Sequence, residues 1–137
     1  MSLFVDSSVW FAAADRHERS HGRARELLAS ADALVTSDHV VVETWGLLKS
    51  RIDRQAANRF WDATRTGGAT VEWVGAADLE GAWSIREAFP DQRFSIVDLT
   101  SFVVMERLGI YRVASFDSDF AIYRFGPRRE RAFTVLN

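Results

Sequence analysis

Residues 3–14 read Leu3-Phe4-Val5-Asp6-Ser7-Ser8-Val9-Trp10-Phe11-Ala12-Ala13-Ala14, and this stretch decides the fold. Leu3 to Asp6 is a short apolar strand ending in an acid, and the apolar run from Val9 continues it as a helix. A strand that opens the chain and turns at once into a helix is the first half of a β-α-β unit. In open α/β sheets the carboxyl ends of the strands line the ligand crevice, so Asp6 stands where chemistry is usually placed. A second role is open to the same residues. Asp6, Ser7 or Ser8 can cap the helix, because short polar side chains satisfy the N–H groups that lack partners in a first turn.

Outward from this stretch the pattern keeps alternating. Ser7 to Ala14 reads as a short helix, and His17 to Ser30 as a second, with Ala24, Leu27, Leu28 and Ala31 at helical spacing. Ala33 to Thr36 is a strand, and Ser37 or Asp38 caps a helix from about His39 to Arg51. Arg54 to Arg65 is a further helix, ended by Gly67-Gly68. Thr70 to Val74 alternates as a strand, Ala77 to Phe89 returns to helix, and Pro90-Asp91-Gln92 is a loop. Ser95 to Leu108 is a strongly apolar helix stopped by Gly109. Tyr111 to Ala114 is a strand, Phe120 to Phe125 is ambiguous, and Ala132 to Leu136 reads as the last strand. Strands separated by helices predict α/β architecture: a five-stranded parallel sheet with right-handed crossovers and helices on both faces.

Composition narrows the class. A chain of 137 residues, 47% of them hydrophobic, is expected to form one domain over residues 1–137 with a substantial core. No apolar run is long enough to span a membrane, and the start does not read as a secretory signal. With no cysteine, disulfides and thiolate zinc sites are excluded; these features together predict a cytoplasmic protein. His17, His21 and His39 show no metal-ligand spacing and read as a solvated set. The formal net charge of −2 argues against a nonspecific polycation. Lys49 is the only lysine, and arginine supplies the remaining basic residues. That bias suits phosphate, which the planar guanidinium binds through two oxygens, although genome base composition produces the same bias.

Four acids recur in unusual places. Glu43 shares a helix face with Val40 and Leu47, where an ionised carboxylate is costly unless paired. Asp98 shares a face with Phe102 and Met105, yet Ser95 and Asp98 also have the spacing of a capping box, and an acid in a first turn complements the helix dipole. Asp117 follows the strand Tyr111 to Ala114, as Asp6 follows the first strand, with Asp119 two residues on; either can cap the next turn. If the two strands are neighbours, Asp6 and Asp117 converge. Several carboxylates in one crevice cannot all ionise without a counter-charge. Either some bind protons or a divalent cation sits among them, and all-oxygen ligation is the preference of Mg²⁺ and Mn²⁺. A metal so held can activate water and stabilise a phosphoryl group, which points to phosphodiester hydrolysis.

At this point the chain resembles a PIN-domain ribonuclease, specifically the VapC-type toxins of toxin–antitoxin pairs. The matching pieces are Leu3 to Ser8, the helix with Glu43, Phe94-Ser95-Ile96-Val97-Asp98, and Ala114-Ser115-Phe116-Asp117-Ser118-Asp119-Phe120. They follow the family's order and span essentially the whole chain. The resemblance implies that Asp6, Glu43, Asp98 and Asp117 are a catalytic acidic quartet holding Mg²⁺ or Mn²⁺. Asp119 is then an auxiliary metal ligand, and Ser7, Ser8 and Ser115 support the site. It also implies an RNA substrate, a cognate antitoxin protein and a homodimer.

Rival readings fail on specific residues. A dinucleotide site needs Gly-x-Gly-x-x-Gly where Asp6-Ser7-Ser8 stands, and a phospho-receiver needs a lysine after a late strand, whereas Lys49 lies mid-chain. A PIN-like module that binds RNA or protein without cutting is the remaining alternative. Arg93, Arg128, Arg129 and Arg131 are candidate RNA-backbone contacts, against the reading of each as a solvated charge. The tryptophans read mostly as core or interface.

Overall fold

The computed structural model describes residues 1–137. Five strands form one parallel sheet in the order β3-β2-β1-β4-β5. They are β1 (Ser2–Val5), β2 (Ala33–Ser37), β3 (Thr70–Glu72), β4 (Arg112–Ala114) and β5 (Thr134–Leu136). The seven α-helices are α1 (Ser7–Ala14), α2 (His21–Ser30), α3 (Asp38–Arg51), α4 (Arg54–Ala63), α5 (Ala76–Ala88), α6 (Ile96–Leu108) and α7 (Asp119–Ile122). This is the expected architecture. β1 is central, and Leu3, Phe4 and Val5 are all fully buried, as a parallel strand covered on both faces must be.

The order of the strands decides where the site lies. From β1 the chain steps outward through β2 to β3, then crosses back to β4 on the other side of β1 and on to β5. Right-handed crossovers therefore set α1 to α4 over one face and α5 to α7 over the other. The direction of winding reverses between β1 and β4. In register, Val5 pairs with Ala114, so the residues just beyond, Asp6 and Ser115 to Asp117, share the crevice at the switch point.

Each face has its own core. On one, Trp10 of α1 packs against Phe60 of α4, with ring centroids 5.7 Å apart. On the other, Phe102 of α6 stacks flat on Tyr123 at 4.4 Å and meets Phe94 and Phe120 edge-on at 5.1 Å. Gly109 ends α6 in the left-handed conformation, φ 67°, which a residue without a Cβ adopts at no steric cost.

Several element bounds differ from the sequence-based expectation, each for a local reason. α2 begins at His21 rather than His17, because Asp15 Oδ1 accepts the His17 N–H and residues 15–21 make successive turns. β3 stops at Glu72 rather than Val74, because the Val74 N–H donates to Asp38 Oδ1 at 2.9 Å instead of to a ladder. α4 gives way after Ala63 to a wide turn through Gly67, φ 105°. Of the ambiguous stretch Phe120 to Phe125, only the part to Ile122 belongs to the short helix α7, Phe125 pairing instead with Arg131 in an isolated bridge, and the last strand starts at Thr134 rather than Ala132.

Because Phe102 is fully buried between Tyr123, Phe94 and Phe120, Phe102→Ala should cost about 3–5 kcal/mol. Urea denaturation checks this, and a loss under about 1 kcal/mol would mean that the cluster repacks around the gap.

Candidate active site

β1 delivers Asp6 to the carboxyl edge of the sheet, and the structure settles its role as a cap. The Asp6 carbonyl accepts the N–H groups of Val9 and Trp10, both at 3.2 Å, starting α1, but its side chain caps nothing. Instead Asp6 Oδ2 accepts two hydroxyls, Ser8 Oγ and Ser115 Oγ, each at 2.9 Å. Each serine is itself held by the loop after β4. Ser8 Oγ accepts the Phe116 N–H at 3.0 Å, and Ser115 Oγ accepts the Asp117 N–H at 3.1 Å. The Asp6 N–H donates to the Ala114 carbonyl at 3.0 Å. Asp6 is 1% exposed, and a buried carboxylate requires such donors.

The other acids come from three more elements. Glu43, on the apolar stripe of α3, is half-buried at a rim position that reaches solvent, where Ser7 donates a short hydrogen bond to Oε1. Asp98 holds both expected roles. It completes the capping box of α6, with Ser95 N–H to Asp98 Oδ2 and Asp98 N–H to Ser95 Oγ, each 3.0 Å, and it is buried against the crevice. Asp117 lies at the mouth, and Asp119 opens α7 half-buried.

Their proximity shows in their acidity. Burial pushes the Asp98 carboxyl up to about 7, aided by the charges of Asp119 and Asp6 and opposed by the Ser95 hydrogen bonds. Asp117 rises to about 6, first because its carboxyl is half shielded from water, although the residue as a whole is exposed. The charges of Asp6 and Asp119 follow, then a contact close enough for Asp117 and Asp6 to share a proton, then Glu43. Ionising one acid therefore works against the next. The donor set is all oxygen, which suits Mg²⁺ or Mn²⁺. No three of the Asp, Glu or His side chains close around one point as a finished coordination shell, so the fit to a cation rests on donor chemistry and crowded charge.

The arginines divide. Arg93 is exposed on the loop two residues before Ser95, beside the crevice. Arg131 stacks on Tyr111 and Phe125 at 4.6 and 4.8 Å. Tyr111 precedes β4, so the structure puts Arg131 at the opposite end of that strand from Asp117. Arg129 lies over Phe89 at 4.6 Å, and Arg128 sits in a turn where its N–H donates to Glu130.

Sequence reasoning missed an apolar groove of about 750 Å³ between α3, α4 and the β3 edge. Val42 is 71% exposed there, Trp61 52% and Trp73 75%. In sequence the tryptophans read mostly as core or interface, but Trp61 and Trp73 come from separate segments, so no local pattern located the groove. Trp83 on α5 is also exposed, so the tryptophans divide between core and surface. No helix is long and apolar enough to cross a membrane.

Comparison with known proteins follows the same lines. Residues 3–126 match the family described as PIN domain. The chain is 38% identical over 124 residues to the 23S rRNA-specific endonuclease VapC20 of Mycobacterium tuberculosis, covering 90% of this chain and 95% of that protein. It is 30% identical over 116 residues to ribonuclease VapC26 of the same organism, covering 84% and 86%. The crystal structure of VapC20, described as a Sarcin-Ricin loop cleaving toxin, superposes with a TM-score of 0.82 at 39% identity, covering 87% of this chain and 92% of that one. VapBC2 from Rickettsia felis, bound to a DNA fragment from its promoter, shares the fold at 13% identity, with a TM-score of 0.70 and coverage of 100% and 98%.

The raised carboxyls give stability a pH dependence. Folded-state pKa values above the ordinary 3.8 mean that the contribution of Asp98 and Asp117 is fully present below pH 3.8 and is lost as pH rises towards about 6 to 7. In EDTA, the melting temperature of the wild type relative to Asp98→Asn should therefore fall between pH 4 and pH 7. A difference that stays flat over that range would show that neither burial nor the neighbouring acids raise the Asp98 carboxyl.

Proposed function

The chain belongs to the PIN-domain family, and on that footing we propose that it is a divalent-metal-dependent endoribonuclease, the toxin of a VapC-type toxin–antitoxin pair. The observation that carries this reading is the convergence of five carboxylates on the β1–β4 switch point, with Asp6 clamped by two serine hydroxyls. Asp6, Glu43, Asp98 and Asp117 are the catalytic quartet, with Asp119 auxiliary. Bound there, Mg²⁺ or Mn²⁺ would polarise a phosphoryl group and acidify a water. The chain's own part is positional. Ser8 and Ser115 fix the plane of the Asp6 carboxylate, Ser7 holds Glu43, and Ser95 holds Asp98 at the start of α6. Ionised together, the acids supply the charge that a cation needs and that an RNA phosphate otherwise avoids.

The substrate in this proposal is RNA. By likeness to the 23S rRNA-specific relative, large-subunit ribosomal RNA is the first to test. Arg93 meets the backbone beside the crevice, while Arg128, Arg129 and Arg131 contact it beyond. The partner is an antitoxin whose amphipathic helix fills the α3–α4–β3 groove and whose following arginine enters the crevice. Charge complementarity supports this, because Asp38 lines the groove and the acidic crevice invites a cation. A homodimer completes the assembly, and sedimentation showing a monomer at high micromolar concentration would contradict it.

The decisive experiment uses the full-length protein with ribosomal RNA over a Mn²⁺ titration. Wild type should cleave with metal and not with EDTA. Asp98→Asn keeps a hydrogen-bond acceptor in the capping box, so it should lose no more than about 1 kcal/mol as a cap. It removes a ligand charge, so cleavage should fall by about 10²-fold or more. Cleavage at the wild-type rate under limiting metal would leave Asp98 as a cap only. RNA retained but uncut under every metal condition would instead support the noncatalytic module. Added antitoxin should stop cleavage and shift tryptophan emission to the blue as Trp61 and Trp73 are covered.

A further inference from the structure

A second pocket, about 270 Å³, lies between α5, α6 and the 123–129 segment, with charged groups that have no protein partner of opposite sign. On one wall Glu106 Oε2 accepts the Tyr123 hydroxyl at 2.7 Å. That bond fixes the carboxylate and leaves Oε1 without a protein donor. Facing it is Arg129, close enough for its charge to act on Tyr123. Neither Glu106 nor Arg129 takes part in an ion pair. Arg124 lies at the rim and is tied through Nη1 alone to carbonyls at the end of α7. Ile85 and Phe125 supply apolar wall.

Arg129 is the one residue other than glycine with positive φ, at 52°. A side chain held in that region marks a conformation imposed by its surroundings. Its guanidinium lies over Phe89 at 4.6 Å, at the solvent-exposed mouth of the pocket.

The pocket lies further along α6 than the acidic crevice: Glu106 is eight residues beyond Asp98, a rise of about 12 Å, and two further segments join the two places. α7 begins at Asp119, a crevice acid, and is followed by Tyr123, whose N–H donates to the Asp119 carbonyl; the rise over that turn is about 6 Å. From Arg93 beside the crevice the chain continues to Phe94, whose ring lies 6.1 Å from Phe89, under Arg129. One RNA strand can therefore reach both places.

We propose that this pocket binds a guanine nucleotide of the RNA, with Glu106 reading the Watson–Crick edge of the base and Arg129 holding a phosphate. The reading rests on the proposal that RNA is the substrate. Guanine is the one common base that presents two adjacent N–H donors on that edge, matching the two oxygens of a carboxylate. Adenine and cytosine place an acceptor against it, and uracil flanks a single donor with two acceptors. A charge-assisted bidentate pair of this kind is both strong and selective. At about 270 Å³ the cavity is of a size for one unstacked nucleotide.

Calorimetric titration of the full-length protein in EDTA, with guanosine monophosphate (GMP), adenosine monophosphate (AMP), guanosine and arginine amide, tests this without metal or cleavage. GMP should bind saturably and at least about tenfold more tightly than AMP. Glu106→Gln keeps an acceptor for Tyr123 and should bring GMP to the level of AMP. Arg129→Gly relieves the positive φ, so it should melt no lower than wild type, and should reduce GMP to the level of guanosine. Equal binding of GMP and AMP overturns the proposal while leaving RNA cleavage untouched. So does arginine amide displacing GMP at lower concentration, which would make the pocket a peptide site. Guanine-selective binding by a protein that cuts no RNA upholds the pocket and removes the nuclease reading instead.

Discussion

One oxygen of Asp6 ties the two halves of the site together. It accepts a hydroxyl from Ser8, at the start of α1, and another from Ser115, at the end of β4. Those hydroxyls in turn accept the backbone N–H groups of Phe116 and Asp117. The loop that carries Asp117 is thus fastened to the loop that carries Asp6 through a single buried carboxylate. An acid could not be buried there without those donors, and the loops would not be held in register without that acid. The parallel pairing of β1 with β4 makes the net possible, because it brings Val5 level with Ala114. Asp6, Ser8 and Ser115 therefore stand or fall together, and substitutions among them should not be additive.

Around this fixed point the protein gathers more negative charge than the metal-free fold accommodates easily. Asp98 and Asp117 are pushed towards the neutral form by burial and by each other's neighbours. The fold holds this strain with apolar packing elsewhere, in the aromatic cluster around Phe102 and the buried strand Leu3-Phe4-Val5. α6 joins the two regions. Its first turn carries Asp98 in a capping box that stabilises the helix, and its second buries Phe102. The acid is held in place by backbone groups that the helix must satisfy in any case.

Much of this was legible in the sequence. Fully buried parallel strands read as short apolar runs, so Leu3-Phe4-Val5 and its alternation with helices revealed the sheet. Asp6, Asp98, Asp117 and Asp119 were legible because each stands where a strand ends or a helix starts, and Glu43 because it shares a helix stripe with apolar residues; their charges act on one another in the crevice. What stayed hidden depends on single side chains or on distant segments. Asp15 and Asp38 each capture one backbone N–H and so shift the start of α2 and the end of β3. Whether Asp6 caps its helix or faces the crevice turned on hydroxyl geometry that no spacing encodes. Arg131 looked equivalent to Arg93 on charge alone, yet its stacking on Tyr111 carries it to the other end of β4. The Glu106 pocket is assembled from two helices and a late loop, so it leaves no local pattern.

On the proposed function, the crowded acids share a divalent cation. The most direct test is calorimetric titration of the wild-type protein with Mn²⁺ at pH 6.5, repeated in two buffers of different ionisation enthalpy. Asp98 and Asp117, raised to about 7 and about 6, are partly protonated at that pH and must give up protons to a metal. Saturable binding whose heat differs between the buffers, in the sense of proton release, is the expected result. No saturable binding, or the same heat in both buffers, would contradict the claim.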